Sequence, residues 1–150
     1  MIANRAAAEG MTNVMERLTA GDKKLCDAAA ALLIRAHDPA QHRVAAAVRG
    51  RSGAIYVGLS LKTTRVDVCA EPSAISNARI GGEHAVDTIV AVGLDRDGAA
   101  VVINPCGVCR ELVPHFGEDI RVVVSLDGEL GVVPARDLLP IPWVRARTYD

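Results

Sequence analysis

Two short segments constrain this chain more than any other feature: Cys69-Ala70-Glu71 and Pro105-Cys106-Gly107-Val108-Cys109. If their three thiolates hold one divalent ion, the fold must bring together side chains that are distant in sequence. Soft sulfur ligands select zinc over magnesium or calcium. Three protein ligands leave a fourth position open, as in a catalytic zinc site; structural sites close with a fourth Cys or His. Both segments open stretches that read as helices. A helix start presents unpaired N–H groups and about half a positive charge. Zinc with three thiolates is net negative, so two helix starts aimed at the sulfurs offset that charge and lower the thiol pKa values.

Two blander readings compete. A structural zinc knot needs a fourth ligand. Cys26 falls mid-helix on an apolar stripe and reads as a small buried hydrophobe, while His84 and His115 stand at no recognisable ligand spacing. A redox Cys106-x-x-Cys109 pair leaves Cys69 and Glu71 unexplained.

Cys69-Ala70-Glu71-Pro72-Ser73-Ala74-Ile75, followed by Pro105-Cys106-Gly107-Val108-Cys109-Arg110-Glu111-Leu112, resembles the cytidine deaminase family in its short, all-cysteine form. It is also similar to the blasticidin S deaminases of that superfamily. The resemblance implies Zn2+, one per subunit, held by Cys69, Cys106 and Cys109. It makes Glu71 the catalytic residue, a proton shuttle between water, a ring nitrogen and the departing amine. It further implies hydrolytic release of ammonia from an aminated pyrimidine nucleoside or nucleoside-like compound, and a homotetramer or homodimer.

The pattern departs from the family at two places. Cytidine deaminases carry an Asn-x-Glu element after the second strand that grips the ribose; here the stretch is Gly58-Leu59-Ser60-Leu61-Lys62. Ser60 and Lys62 then take those positions as substrate-binding candidates, with Ala70 beside them. A lysine cannot accept the hydrogen bond that a glutamate takes from a sugar hydroxyl. A blasticidin S-type deaminase, a free- or modified-base deaminase (cytosine, isocytosine) and a non-catalytic zinc-containing nucleotide-binding protein therefore remain alternatives. The second departure is Pro72, where many short cytidine deaminases have arginine. Proline suits a first helical turn but brings no charge, which leaves Arg110 as the candidate for charge compensation, or simply as a solvated helix residue. The resemblance places the C-terminal segment near an active site, often a neighbouring subunit's. Trp143 is its candidate stacking partner, with a core or interface anchor as the equal alternative.

Size and composition fit these expectations. The chain has 150 residues, half of them hydrophobic (50%), enough for one domain with a packed core. Residues 1–15 read as a loosely ordered extension, with Met11 a possible start. The net charge of -1 and the lack of a basic run argue against nucleic acid. No apolar run approaches the ~18 residues of a membrane span, and the alanine-rich start does not read as a secretion signal. Four cysteines without an export signal point to the cytoplasm. Aromatic residues are only 3%, with Tyr56, Phe116, Trp143 and Tyr149 the whole stock, so few rings can sandwich a base.

Apolar spacing predicts a helix over 22–36 capped by Asp22, strands over 43–49 and 54–61 around a Gly50–Gly53 turn, and a polar loop over 62–68. A helix over 69–80 follows, ended by Gly81-Gly82. Strands are then expected over 86–94, 99–103 and 120–125, a helix over 107–116, a turn at Asp127-Gly128 and a short last helix over 134–139. This order predicts an α/β fold with helices on both faces of the sheet. The resemblance makes it a three-layer α/β/α sandwich with a five-stranded mixed sheet.

Overall fold

A computed structural model describes residues 15–146. Residues 1–14 and 147–150, with Met11 and Tyr149 among them, lie outside the described residues. Met15, counted above in the extension, packs against the core, and Glu16 exchanges two backbone hydrogen bonds with Val132.

Helix α1 spans Ala20–Ala36. Its cap is Thr19 rather than Asp22: the Thr19 hydroxyl accepts from the Asp22 amide at 3.1 Å, and the Asp22 carboxylate accepts from the Thr19 amide at 2.9 Å. This reciprocal capping box satisfies two donors at once. The same carboxylate is fully buried and takes hydrogen bonds from Arg49 at 3.1 Å and from Arg121 at 3.4 Å. Burial alone would push its pKa up, but the Thr19 bonds and the two guanidinium groups hold it below the ordinary carboxylate range.

Strands β1 (Val44–Gly50) and β2 (Ile55–Leu59) form an antiparallel hairpin, and a two-residue pair follows, β3 (Leu61–Lys62) with β4 (Asp67–Val68). The expected polar loop is therefore a tight hairpin that sets Lys62 opposite Asp67. Helix α2 (Ala70–Ile80) leads to β5 (Val86–Leu94), β6 (Ala100–Ile103) and helix α3 (Gly107–Leu112). The chain tightens into a 3-10 turn over Val113–Phe116, with Pro114 near its start, so the α-helix expected to reach Phe116 stops at Leu112. Strands β7 (Arg121–Leu126) and β8 (Glu129–Pro134) complete the sheet, and a 3-10 turn over Ala135–Leu138 stands where a last helix was expected.

The main sheet has six strands, not five. Its order is β2-β1-β5-β7-β8, with β6 pairing the C-terminal half of β5. β5 and β7 run parallel and the other pairs antiparallel, which makes the sheet mixed as expected. The additional strand is β8. Asp127 and Gly128 both have positive φ (51° and 84°), the type I′ geometry that closes a two-residue hairpin.

Alternation along the strands builds two cores. Ala46, Val48, Ile89 and Ala91 face α2, and Ala45, Ala47, Val90 and Val92 face α1. Side chains of period two on a sheet covered on both sides give this three-layer sandwich. Gly58 on β2 lets α2 come closest: a Cβ there would collide with the backbone of Ser73 and Ala74. That approach fixes the start of α2, and with it Cys69 and Glu71.

Candidate active site

The two cysteine segments meet where α2 and α3 begin. Cys69 caps α2 and Cys106 caps α3, both with extended backbone and no side-chain capping bond, so both thiols remain available. Cys109, in the first turn of α3, is completely buried. Cys69 and Cys106 sulfurs stand 3.4 Å apart, and all three sulfurs lie within 4.8 Å of one another. Among the described residues this is the one cluster with metal-ligand geometry. His84 and His115 are not part of it, and among the described residues no fourth His, Cys or carboxylate joins the three. Cys26 packs with the α1 core, where burial pushes its thiol up to about 11.

Glu71 is 5% exposed and sits two residues past Cys69, in the first turn of α2. Its carboxylate and the sulfurs crowd negative charge into a small volume. Burial pushes the Cys69 thiol up to about 11, with Cys106 and Glu71 adding to the effect. Burial and then Glu71 raise Cys109 further. Burial also acts against Cys106, but the amides of Cys109 and Val108 pull it below the ordinary thiol value. The three thiols cannot all ionise beside Glu71 unless a cation joins them, and the donor set fits zinc.

Metal loading must therefore expel protons. At neutral pH at least the Cys69 and Cys109 protons leave when zinc binds. Apparent zinc affinity is expected to rise by about two log units per pH unit between about pH 6 and 8. Competition against a chromogenic chelator measures this, and a pH-independent affinity contradicts it.

The cluster opens onto a cleft of about 240 Å³. Ser60, Lys62 and Ala70 all line it together with Cys69, Glu71 and Cys106. Ser60 is nearly buried, and its hydroxyl accepts from the amides of Arg43 at 3.1 Å and Val44 at 3.0 Å. Lys62 reaches Asp67 at 3.6 Å across the small hairpin. Arg110 is half-buried: its Nε donates to the Pro105 carbonyl at 2.9 Å, and it borders a void of about 10 Å³ behind Glu71 and Cys109. Trp143 is 71% exposed and does not line the cleft of its own chain; the Arg145 guanidinium lies 5.9 Å from its ring centre.

Arg43 and Asn104 also line the cleft, and sequence reasoning did not single them out. Asn104 exchanges two hydrogen bonds of 2.8 Å with the backbone of Ser125, pinning β6 to β7 immediately before Pro105-Cys106. Its place two residues before Cys106 is the one signal that could have marked it. Arg43 lies in a segment that reads only as strand.

Residues 19–126 match the model of the cytidine and deoxycytidylate deaminase zinc-binding region. The chain belongs to the cytidine and deoxycytidylate deaminase family. It is accordingly a zinc-dependent hydrolytic deaminase. It is 32% identical over 130 residues to a blasticidin-S deaminase of Bacillus cereus, covering 83% of this chain and 93% of that one. It is 34% identical over 95 residues to a cytidine deaminase of Enterobacter sp. (strain 638), but spans only 29% of that longer protein. Among solved structures, cytidine deaminase from Burkholderia pseudomallei superposes with a TM-score of 0.67 at 28% identity, covering 84% of this chain and 100% of that one. No helix among the described residues is long and apolar enough to cross a membrane.

Proposed function

We propose that this deaminase hydrolyses the exocyclic amino group of an aminated pyrimidine nucleoside or nucleoside-like compound, with Glu71 as its proton shuttle and Cys69, Cys106 and Cys109 as its metal ligands. The observation that carries this reading is a nearly buried carboxylate beside three converging sulfurs, at the floor of a cleft large enough for a ring.

Zinc, when bound, supplies a Lewis acid that makes water nucleophilic near neutral pH. Glu71 takes a proton from the attacking water and hands it to the ring nitrogen. It later carries a proton to the leaving amine, so that the carbon–nitrogen bond breaks and ammonia departs. Burial keeps Glu71 out of bulk water, so its proton has few competing acceptors. Ala70, small and completely buried beside Cys69, leaves room for the ring at the cleft floor. Arg110, anchored to Pro105, sets a positive charge on the helix that bears Cys109 and offsets the excess negative charge of the thiolates.

A second reading, a blasticidin S-type deaminase, is favoured by Lys62 at the position where a ribose-gripping glutamate is expected, and by near-complete coverage of the Bacillus cereus relative. We further infer a homotetramer. Ile80, Val108, Ile141, Trp143 and Val144 are all more than two-thirds exposed, and a neighbouring subunit would cover such side chains and receive Trp143. Reduced thiols at the metal site suit a cytoplasmic setting.

The test is ammonia release by the zinc-loaded protein from cytidine, deoxycytidine, cytosine, isocytosine and blasticidin S. Turnover of at least one is expected. Failure on every aminated pyrimidine contradicts the proposal.

A further inference from the structure

We infer that Asn104 is a positioning residue for the metal centre: its carboxamide, clamped to the backbone of Ser125, holds Cys106 within reach of the other two sulfurs. The inference rests on Cys69, Cys106 and Cys109 as the ligands and goes beyond that assignment to what keeps the set assembled.

The three cysteines are not held equally. Cys109 is completely buried in the first turn of α3, and Cys69 is half-buried at the start of α2, which packs closely on Gly58. Cys106 is exposed. Its place depends on a short segment, Asn104-Pro105-Cys106, that leaves β6 where the sheet divides. β5 pairs β7 at Thr88 and Ile89, then pairs β6 from Ala91 to Leu94. Both partners lie on the one edge of β5 that β1 leaves free, and among the described residues no strand ladder joins β6 to β7. Pro105 has no N–H to offer across that gap.

The Asn104 carboxamide closes it. Its Nδ2 donates to the Ser125 carbonyl at 2.8 Å, and its Oδ1 accepts from the Ser125 amide at 2.8 Å. One side chain thus supplies the donor and the acceptor that a peptide group would bring to a ladder. Arg110 holds the same segment from the other side. Its backbone amide donates to the Cys106 carbonyl and its Nε to the Pro105 carbonyl, each at 2.9 Å. Cys106 therefore sits between two ties, one to the sheet and one to α3. Asn104 is itself exposed, so its bonds add little to global stability. Their effect falls on the segment that they fix.

Metal retention and ligand geometry test this apart from activity. Zinc transfer from the protein to a chromogenic chelator gives the dissociation rate, and visible absorption of the Co2+-substituted protein reports sulfur coordination. Asn104→Ala is expected to release zinc about tenfold faster or more and to weaken the cobalt absorption, while its urea midpoint stays close to wild type. Asn104→Asp keeps the volume and the acceptor but, ionised, cannot donate to the Ser125 carbonyl, and it is expected to release zinc faster than wild type as well. Asp22→Ala breaks a network that shares no residue with the cysteine segments. It is expected to do the reverse, with a lower urea midpoint but wild-type zinc release in the absence of denaturant. On any aminated pyrimidine that the protein turns over, Asn104→Ala lowers kcat and leaves KM within about twofold. Wild-type zinc release and cobalt absorption in Asn104→Ala overturn the inference. So does an Asn104→Ala protein that fails to fold or loses as much stability as Asp22→Ala, which makes Asn104 a structural residue. A raised KM with zinc release unchanged makes it a substrate contact and overturns the inference too. If the wild-type protein itself shows no sulfur-bound cobalt, the ligand assignment fails and this inference with it.

Discussion

Replacing Glu71 by glutamine is expected to lower turnover by about 10²- to 10⁴-fold, or roughly 3–5 kcal/mol of barrier, while zinc stays bound. Glutamine matches the volume of glutamate and keeps a polar group at a position only 5% exposed, so the first turn of α2 and the Cys69 cap stay in place. What disappears is the group that accepts and returns a proton. Loss of the carboxylate also relieves Cys69 and Cys109, whose thiols it helps to raise, so zinc affinity is expected to hold or increase. The decisive pattern is full metal content with lost ammonia release. A variant that keeps wild-type turnover removes Glu71 from the chemistry, and one that loses metal and activity together makes it part of the metal site.

Asp22→Ala is expected to cost about 3–5 kcal/mol of folding stability, the penalty for breaking a buried charged network on one side. The carboxylate is completely buried, bonds Arg49 and Arg121, and closes the cap of α1. Its removal leaves two half-buried guanidinium groups without their shared counter-charge. Arg49 retains Asp87 at 2.9 Å and Thr88 at 2.9 Å, and among the described residues Arg121 retains only exposed Glu16 at 3.4 Å. Because the folded-state pKa is lowered, this contribution is complete above the unfolded carboxylate pKa of about 3.9 and is lost as pH falls through the folded value. Urea titration measures both features. A loss below about 1 kcal/mol, or an unchanged acid limb in Asp22→Asn, contradicts this account.

Those two positions differ in how far they were legible in the sequence. Glu71 stands two residues from a cysteine at the start of a helix, and short-range spacing carries all the information needed. Asp22 was visible only as a helix-start residue. Its two arginine partners come from β1 and β7, and no local pattern announces a contact between residues 22 and 121. The alternating strands were readable because period-two burial leaves its mark in composition, and β5 falls at Val86–Leu94 as expected. β8 was lost because Glu129-Leu130-Gly131 is short on β-branched residues and Pro134 suggested a helix start. The Asp127-Gly128 turn held the missing information, since that dipeptide closes a hairpin and implies a strand on either side. In the cleft, the convergence of the three cysteines and the places of Ser60, Lys62 and Ala70 on its wall were legible, and Arg43 and Asn104 were not. Arg43 reaches Lys62 and Asn104 through sheet topology, which spacing along the chain does not encode.

The central claim is a three-sulfur zinc centre with one position left to solvent. X-ray absorption at the zinc edge, on protein purified under reducing conditions, tests it directly. The account predicts one zinc per chain with three sulfur neighbours at ~2.3 Å and one lighter neighbour that exchanges with added small anions or inhibitors. A fourth sulfur, a non-exchanging nitrogen ligand from a histidine, or protein that folds with its thiols free and takes up no zinc would contradict it.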